Sequence, residues 1–137
     1  MANKIFKEID HIFTNPNNRG DLINELTDEF RDGRDPRILC ELLESDNNKF
    51  IEIGLYIINE IIIEDHQLLT NISRALYKLI KNSDSYIRYK AFVILSQILE
   101  DLSRNEECTD LYLIVYKDED KDIRESGIKL LKDGHLR

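Results

Sequence analysis

The feature that most restricts the fold of this chain is a residue pattern that recurs every 36 or 37 positions. Each copy holds a large apolar residue, a small residue four positions later and an aliphatic residue four positions after that. The three sets are Phe50, Ile87 and Ile123; Gly54, Ala91 and Gly127; and Ile58, Leu95 and Leu131. Residues spaced by four lie on one face of a helix. The repeat therefore predicts stacked helical hairpins, in which the small residue lets a neighbouring helix approach and the apolar residues fill the groove between layers.

Apolar residues at helical spacing predict eight helices. They lie near residues 3–13, 21–31, 36–43, 49–63, 66–81, 85–102, 106–116 and 121–132. Asp35-Pro36 is a strong helix start, because Asp accepts hydrogen bonds from backbone N–H groups and proline loses none in the first turn. Residues 111–116 are also β-prone, but an isolated strand among helices would have no partner, so we expect a helix. Gly134 is expected to close the last helix.

The second and third copies share more than their apolar positions. Residues 84–91 read DSYIRYKA and residues 120–127 read DKDIRESG. This order, Asp, an aliphatic residue, Arg and a small residue three positions further on, resembles the HEAT-repeat family. The resemblance covers residues 35–136, and the first copy departs from it, with Asn47 and Ile51 in place of the Asp and Arg.

The resemblance implies an all-α fold, namely a short right-handed α-solenoid of about three to four antiparallel helical hairpins. Residues 1–137 would form a single HEAT-like domain, with residues 1–34 as irregular N-terminal cap helices and residues 35–137 as three repeat units. In the family, the Asp and Arg commonly pair between neighbouring repeats. Carried over, this pairing would give Asp84, Arg88, Asp120 and Arg124 a structural role.

Charge restricts the partners that the chain can bind. The formal net charge is −8, and residues 1–65 hold fifteen acidic against seven basic side chains. An acidic protein is repelled by DNA and by anionic membranes and attracted by basic proteins. The alternative is that the acidic residues form an ordinary solvated surface that binds no partner. Residues 66–99, here called the basic waist, hold five basic side chains and one acidic one. They fall short of the broad cationic lining that nucleic acid requires, so we expect neither nucleic acid nor a membrane as partner.

The chain lacks the residue patterns of catalytic, cofactor and metal sites. Its five glycines lie at least seven residues apart, which excludes a glycine-rich phosphate loop. The three histidines and the two cysteines, Cys40 and Cys108, have no partner at metal-ligand spacing. Residues 118–122 read DEDKD, like the start of a calcium loop, but Ile123 and Lys129 stand where Gly and Glu are required.

We therefore expect no enzymatic activity, no cofactor, no metal and no small-molecule substrate. The cysteines fit two buried thiols in a reducing compartment. The N-terminal residues are charged and amphipathic and do not read as a signal peptide. Both observations predict a cytoplasmic protein.

The most plausible partner-binding residues are the polar and aromatic residues on the outward faces of the fourth and sixth predicted helices. In a stack of hairpins, the second helices usually line the concave side. The candidates are Glu52, Tyr56, Asn59, Glu60, Tyr89 and Gln97. Tyrosines serve as rigid anchors in many interfaces, and glutamates attract a cationic partner. The alternative is that the two tyrosines only cover the edge of the core.

Two functions fit these expectations. The first is inhibition of a basic protein. A small, acidic helical stack without catalytic residues resembles several bacterial immunity proteins, which neutralise a toxin made by the same cell, often a cationic nuclease. Such an inhibitor would cover the active site or the substrate surface of the toxin. The second is a scaffold or adaptor subunit of a larger complex, which is the commonest use of HEAT-like arrays.

Overall fold

Eight α-helices make up most of the structure. The computed structural model describes the backbone of residues 2–132 and the side chains of residues 4–130. The helices are α1 (Ala2–Phe13), α2 (Arg19–Arg31), α3 (Leu39–Leu43), α4 (Asn48–Glu60), α5 (His66–Leu79), α6 (Ser85–Asp101), α7 (Asn105–Val115) and α8 (Lys121–Lys132). Short 3₁₀ turns, Pro16–Asn18 and Pro36–Ile38, precede α2 and α3. The all-α prediction is confirmed for the described residues, which contain no strand, and the β-prone residues of α7 are helical.

Helix α4 ends at Glu60, so the prediction that it continues to residue 63 is wrong. Ile61 is extended, with φ −118° and ψ 163°, and Ile62 is 90% exposed. Three consecutive isoleucines propagate a helix poorly, because β-branched side chains lose rotamer freedom against the preceding turn. Asp65 then starts α5 by accepting hydrogen bonds from the backbone N–H groups of Gln67 and Leu68 at 2.9 and 3.2 Å.

The chain divides into two compact units, Met1–Ala75 and Leu76–Arg137. In the first unit, the rings of Phe6 on α1 and Phe50 on α4 meet edge to face, with centroids 4.8 Å apart. Aliphatic side chains from α1, α3 and α4 complete a core that is closed to solvent. The residues with no exposed surface on these three helices are Ile5, Ile9, Leu39, Leu42 and Ile57, and Ile72 of α5 is equally buried in this unit.

The second unit has its own core. The rings of Phe92 on α6 and Tyr112 on α7 meet edge to face, with centroids 5.7 Å apart. Neither residue has any exposed surface. Aliphatic residues surround them, and those with no exposed surface are Leu76, Ile87, Leu95, Leu99 and Leu111. The side chain of Leu131 and the whole of Gly134 lie outside the described residues.

The glycines of the repeat lie where the two helices of a hairpin touch. A Cβ added at Gly54 would lie 3.0 Å from the Cβ of Leu42 on α3. A Cβ added at Gly127 would lie 3.3 Å from the Cγ1 of Val115 on α7. Each glycine contacts the residue twelve positions before it. The two hairpins therefore share this contact, which is tighter at Gly54 than at Gly127.

The turns that lead into α4, α6 and α8 repeat one hydrogen-bond pattern. In each turn, the side-chain oxygen of one residue accepts a hydrogen bond from the backbone N–H of the helix N-cap residue two positions later. The pairs are Ser45 with Asn47 at 3.0 Å, Asn82 with Asp84 at 2.8 Å, and Asp118 with Asp120 at 2.8 Å. Each N-cap side chain accepts in turn from the N–H two residues further on, at 2.9, 2.8 and 2.9 Å. These bonds satisfy donors that a helix start leaves unpaired, so the sequence repeat is also a repeat of capped turns.

Arg88 and Arg124 hold the second and third of these turns. The Nη1 of Arg88 donates to the backbone carbonyl of Asn82 at 2.9 Å. The Nη1 of Arg124 donates to the backbone carbonyl of Asp118 at 2.6 Å, again six residues back. Arg88 also makes a two-pronged ion pair with Asp118, in which the Nε–Oδ2 distance is 3.0 Å and the Nη2–Oδ1 distance is 3.2 Å.

This ion pair is nearly closed to solvent, since the Arg88 and Asp118 side chains are only 8% and 10% exposed. The hydrogen bonds to Asp118 raise the pKa of the Arg88 guanidinium. The resemblance implied that the repeat's Asp and Arg residues pair with each other. The structure instead gives Asp84 and Asp120 capping bonds and pairs Arg88 with Asp118.

Replacing Gly54 by Ala is expected to lower the free energy of unfolding by about 1 kcal/mol, because overpacking against the backbone-attached Cβ of Leu42 outweighs the helix propensity that alanine adds. Gly127→Ala is the matched control. Its nearest neighbour is a methyl group of Val115, which can shift, so little change is expected there. Urea unfolding of both variants measures the difference, and equal effects at the two positions would contradict this packing.

Replacing Arg88 by Met is expected to lower the free energy of unfolding by about 3 kcal/mol, because it leaves the Asp118 carboxylate nearly buried without its counter-charge. Lys121→Met removes an exposed pair with Glu125, whose two side chains are 78% and 61% exposed, and should cost under about 0.5 kcal/mol. Thermal and urea unfolding followed by circular dichroism compare the two variants. If Arg88→Met lowers the free energy of unfolding no more than Lys121→Met does, the buried ion pair does not stabilise the fold.

Candidate partner-binding surfaces

Four of the six candidate residues lie on one face of α4 in the first unit, here called the α4 face. Glu52, Tyr56, Asn59 and Glu60 are spaced by four, three and one, which places them on adjacent turns of the same side. Tyr56 is 40% exposed, Asn59 and Glu60 are exposed, and Glu52 is half-buried. The structure therefore brings these four candidates together.

Helix α2 holds the α4 face in place. The Tyr56 hydroxyl donates to the Oδ1 of Asn24 at 3.2 Å. The Nη2 of Arg31 donates to the backbone carbonyl of Glu60 at 3.2 Å. Because the two bonds follow the same order along both helices, α2 and α4 run side by side in one direction. Sequence reasoning missed Asn24 and Arg31, since their seven-residue spacing shows only a common helix face and not the helix against which that face packs.

The surroundings of the α4 face are strongly acidic. Residues 1–75 hold fifteen acidic and eight basic side chains. Three of the basic side chains are engaged in ion pairs. The Nη2 of Arg37 lies 2.6 Å from Asp35. The Nη1 of Arg31 lies 2.7 Å from Asp28, and the Nη1 of Arg34 lies 2.8 Å from Glu8 and 3.3 Å from Glu29. Asp21, Glu25 and Asp28 are exposed along α2. The first unit therefore presents an excess of negative charge.

The other two candidates, Tyr89 and Gln97, lie in the second unit, where they line a groove of about 410 Å³ between α6 and α8. We call it the α6–α8 groove. Helix α6 provides most of its wall, with Tyr89, Phe92, Val93, Ser96, Gln97 and Glu100. Helix α8 provides the opposite wall, with Ser126, Lys129 and Leu130, and Tyr112 of α7 closes the floor.

Tyr112 is the unusual member of this groove. It has no exposed surface, and its hydroxyl makes no hydrogen bond of full geometry among the described residues. The neighbouring Ser96 hydroxyl donates to the backbone carbonyl of Val93 at 2.8 Å. Burial raises the pKa of Tyr112, the Glu100 carboxylate adds to this shift, and the hydrogen-bonding Ser96 hydroxyl opposes it. The Tyr112 hydroxyl therefore keeps its proton at neutral pH.

The rim of the groove carries balanced charge. Glu100 is half-buried on one side and Lys129 is exposed on the other. Gln97 is exposed, and its Nε2 donates to the Oδ1 of Asp101 at 3.0 Å. Residues 76–137 as a whole hold twelve acidic and eleven basic side chains. The groove therefore differs from the α4 face, whose surroundings are acidic.

The basic waist provides fewer surface cations than its composition indicates. Of its five basic side chains, Arg88 is buried against Asp118. The Nζ of Lys90 lies 5.7 Å from the centroid of the Tyr86 ring, and the Nη1 of Arg74 donates to the Oδ1 of Asn71 at 3.3 Å. Four basic side chains remain outside the core, which weakens the case for a cationic nucleic-acid groove.

The carboxylates that mimic a calcium loop are engaged in the turn before α8. Asp118 accepts from the N–H of Asp120, and Asp120 accepts from the N–H groups of Asp122 and Ile123 at 2.9 and 3.2 Å. No group of three or more His, Cys, Asp or Glu side chains in the described part of the chain could hold a metal ion. Within residues 2–132, no helix is long and apolar enough to cross a membrane.

Comparison of the chain with protein-family models, curated proteins and solved structures finds no match.

The two thiols lack the environment of a catalytic nucleophile. Burial raises the pKa of Cys40, with Glu44 and Glu41 adding to the shift, and burial likewise raises the pKa of Cys108, with Glu100 and Glu107 adding. A raised pKa means less thiolate at neutral pH, and the thiolate is the reactive form.

In the folded protein at neutral pH, we expect both cysteines to react slowly with a disulfide reagent, and Cys108, which is 1% exposed, to react more slowly than the half-buried Cys40. Raising the pH should speed both reactions, because it raises the thiolate fraction. In the Cys40→Ser variant, only the slow reaction should remain, and urea should make it fast. Rapid modification of Cys108 in the folded protein would contradict this description of its environment.

Proposed function

We propose that this chain is a non-enzymatic protein-binding module that inhibits a basic protein, such as a cationic bacterial nuclease toxin, in the manner of an immunity protein. The observation that carries the proposal is the α4 face, where a part-exposed tyrosine is held by a hydrogen bond within a unit that has fifteen acidic and eight basic side chains. Inhibition of a toxin made by the same cell would take place in the cytoplasm, which is the localisation we propose.

The parts of the α4 face have different roles in this mechanism. Negative charge attracts a cationic partner over distances near the Debye length and raises the association rate. Tyr56 then provides the short-range anchor, because the bond to Asn24 limits the freedom that its ring would lose on binding. The bound inhibitor would cover the active site or substrate surface of the toxin. No catalytic group of the inhibitor is required for this effect.

We further infer that the hairpins stack as a short right-handed α-solenoid of the HEAT kind. Three observations support this architecture. The capped turns recur at the spacing of the sequence repeat, Gly54 and Gly127 each contact the residue twelve positions earlier, and α2 and α4 run in one direction within the first unit.

A scaffold or adaptor subunit is the second candidate function, and the end of α7 favours it. Leu113, Ile114 and Tyr116 are 53%, 45% and 52% exposed. Exposed apolar residues next to one another mark many protein contacts. A scaffold would use this patch, whereas an inhibitor of a basic toxin would use the α4 face.

Affinity capture from native lysate with the tagged full chain, at low and at moderate salt, tests the proposal. We expect one basic partner that is lost as salt rises, and whose enzymatic activity stops when the purified chain is added. Tyr56→Ala should weaken that partner's binding by at least about thirtyfold, as loss of a hot-spot anchor does, while Glu60→Lys should slow association. Tyr116→Ala, which changes a tyrosine that is 52% exposed directly after α7, is the control and should bind normally.

Two results would overturn the inhibitor proposal. One is a captured basic protein whose activity continues at saturating amounts of the chain. The other is salt-resistant recovery of a multi-subunit assembly that Leu113→Asp abolishes and Tyr56→Ala does not. The second result would establish the scaffold function.

A further inference from the structure

Residues 61–65, here called the isoleucine segment, connect α4 to α5 within the first unit. Ile61 is extended, with φ −118° and ψ 163°, and beyond it the segment adopts neither helix nor turn. Exposure alternates along the chain, because Ile61 and Ile63 are half-buried whereas Ile62 is 90% exposed and Glu64 is exposed. Side chains that alternate between two sides are typical of a β-strand, and β-branched residues favour that conformation. The segment therefore has the form of a strand that has no neighbour.

The backbone of the isoleucine segment has hydrogen-bonding groups that the described part of the chain leaves unpaired. Within the described residues, nothing accepts from the N–H groups of residues 62–65, and nothing donates to the carbonyl oxygens of residues 61–64. Pairing resumes on either side, where the Glu60 carbonyl accepts from Arg31 and the Asp65 carbonyl accepts from an N–H of α5. A strand edge with such unpaired groups is a template for a second strand. The segment can therefore pair with an exposed edge strand by β-strand addition.

Charge decides which kind of strand can pair with the segment. Glu60, Glu64 and Asp65 are exposed within it or directly before it. Arg31, which donates to the Glu60 carbonyl, is already paired with Asp28 at 2.7 Å. A second copy of the segment would bring like charges together, which destabilises a strand pair. An edge strand that carries Lys or Arg would place opposite charges there instead.

We propose that the isoleucine segment adds as a strand to an exposed β-sheet edge of a basic partner protein, with Ile62 against an apolar side chain and Glu64 against a Lys or Arg of that edge. The inference rests on the proposed function, since it specifies how the basic partner bound at the α4 face would dock. Residues two apart lie on one side of a strand, so Ile62 and Glu64 would face the same side of the extended sheet. Main-chain hydrogen bonds would provide affinity, and these two side chains would provide specificity.

The probe for this proposal is a disulfide-closed β-hairpin peptide whose free edge strand reads KTVTK, added to the ¹⁵N-labelled full chain. Its lysines and valine share one side of the strand, as Glu64 and Ile62 do. We expect saturable shifts of the amide signals of residues 62–65. Hydrogen exchange should slow at alternate positions, either Ile62 and Glu64 or Ile63 and Asp65, because only every second residue of a strand points its N–H toward a given neighbour.

A change in the peptide and a change in the chain test the chemistry of the pairing. A hairpin whose edge strand reads ETVTE keeps the β-forming residues with opposite charge, and it should bind at least about tenfold more weakly. Ile62→Lys should weaken binding of the KTVTK hairpin at least about fivefold, because like charge replaces an apolar contact. This variant should fold normally, because Ile62 is 90% exposed, and its melting temperature checks this.

Asn17→Lys is the matched control for Ile62→Lys. It adds the same charge to the first unit at an exposed residue before α2, at the end of that helix opposite to Arg31. The affinity for the KTVTK hairpin should stay within about twofold, because charges that far apart are largely screened by salt.

The proposal is overturned if the KTVTK hairpin gives no saturable shifts, if the protected amides do not alternate, or if the ETVTE hairpin binds equally well. Unchanged affinity of the Ile62→Lys variant would also overturn it. Protection of alternate amides that grows with the concentration of the chain alone would show that a second copy is the occupant, which contradicts the proposal.

Failure of the proposed function is recognised separately. It is read from the activity of a captured basic protein, whereas strand addition is read from the hairpin. A captured partner that the Ile62→Lys variant inhibits as strongly as the unchanged chain does would overturn strand addition and leave the inhibition itself in place.

Discussion

The first backbone N–H groups of a helix have no partner inside the helix, and side-chain oxygens satisfy them in the same way before α4, α6 and α8. Asn47, Asp84 and Asp120 each accept from the amide two positions later. These bonds fix the residue at which each helix begins, and the start of a helix sets which side chains face its hairpin partner. The contacts of Gly54 with Leu42 and of Gly127 with Val115 depend on that register.

An ion pair of Arg88 connects the start of α6 to the capped turn before α8. In the second unit, Arg88 in the first turn of α6 reaches Asp118 in the turn before α8, a separation of 30 residues. The first unit has Ile51 at the equivalent position, 2% exposed within an apolar core. Because a buried ion pair must offset the loss of hydration of both charges, its main contribution is to fix geometry.

Most of the helices could be predicted from the sequence, because helical periodicity and caps are local signals. The end of α4 could not, since Ile61, Ile62 and Ile63 continue the apolar pattern and only their β-branching opposes the helix. The four candidates on α4 do share one face, as helical spacing requires. Their support by Asn24 and Arg31, and the groove below Tyr89 and Gln97, depend on contacts between helices. The complete burial of Tyr112 could not be predicted, because this residue lies in a β-prone run of apolar residues.

The two units differ in the kind of ligand that their charge favours. The buried pair of Arg88 and Asp118 removes one charge of each sign from the surface of the second unit, so its near balance of twelve acidic and eleven basic side chains persists outside the core. The first unit keeps its excess of acids, since ion pairs within it cannot change its balance of fifteen acidic and eight basic side chains. Long-range attraction of a cation therefore acts mainly through the first unit. In the second unit, acidic and basic side chains are nearly equal in number, so their fields largely cancel at a distance.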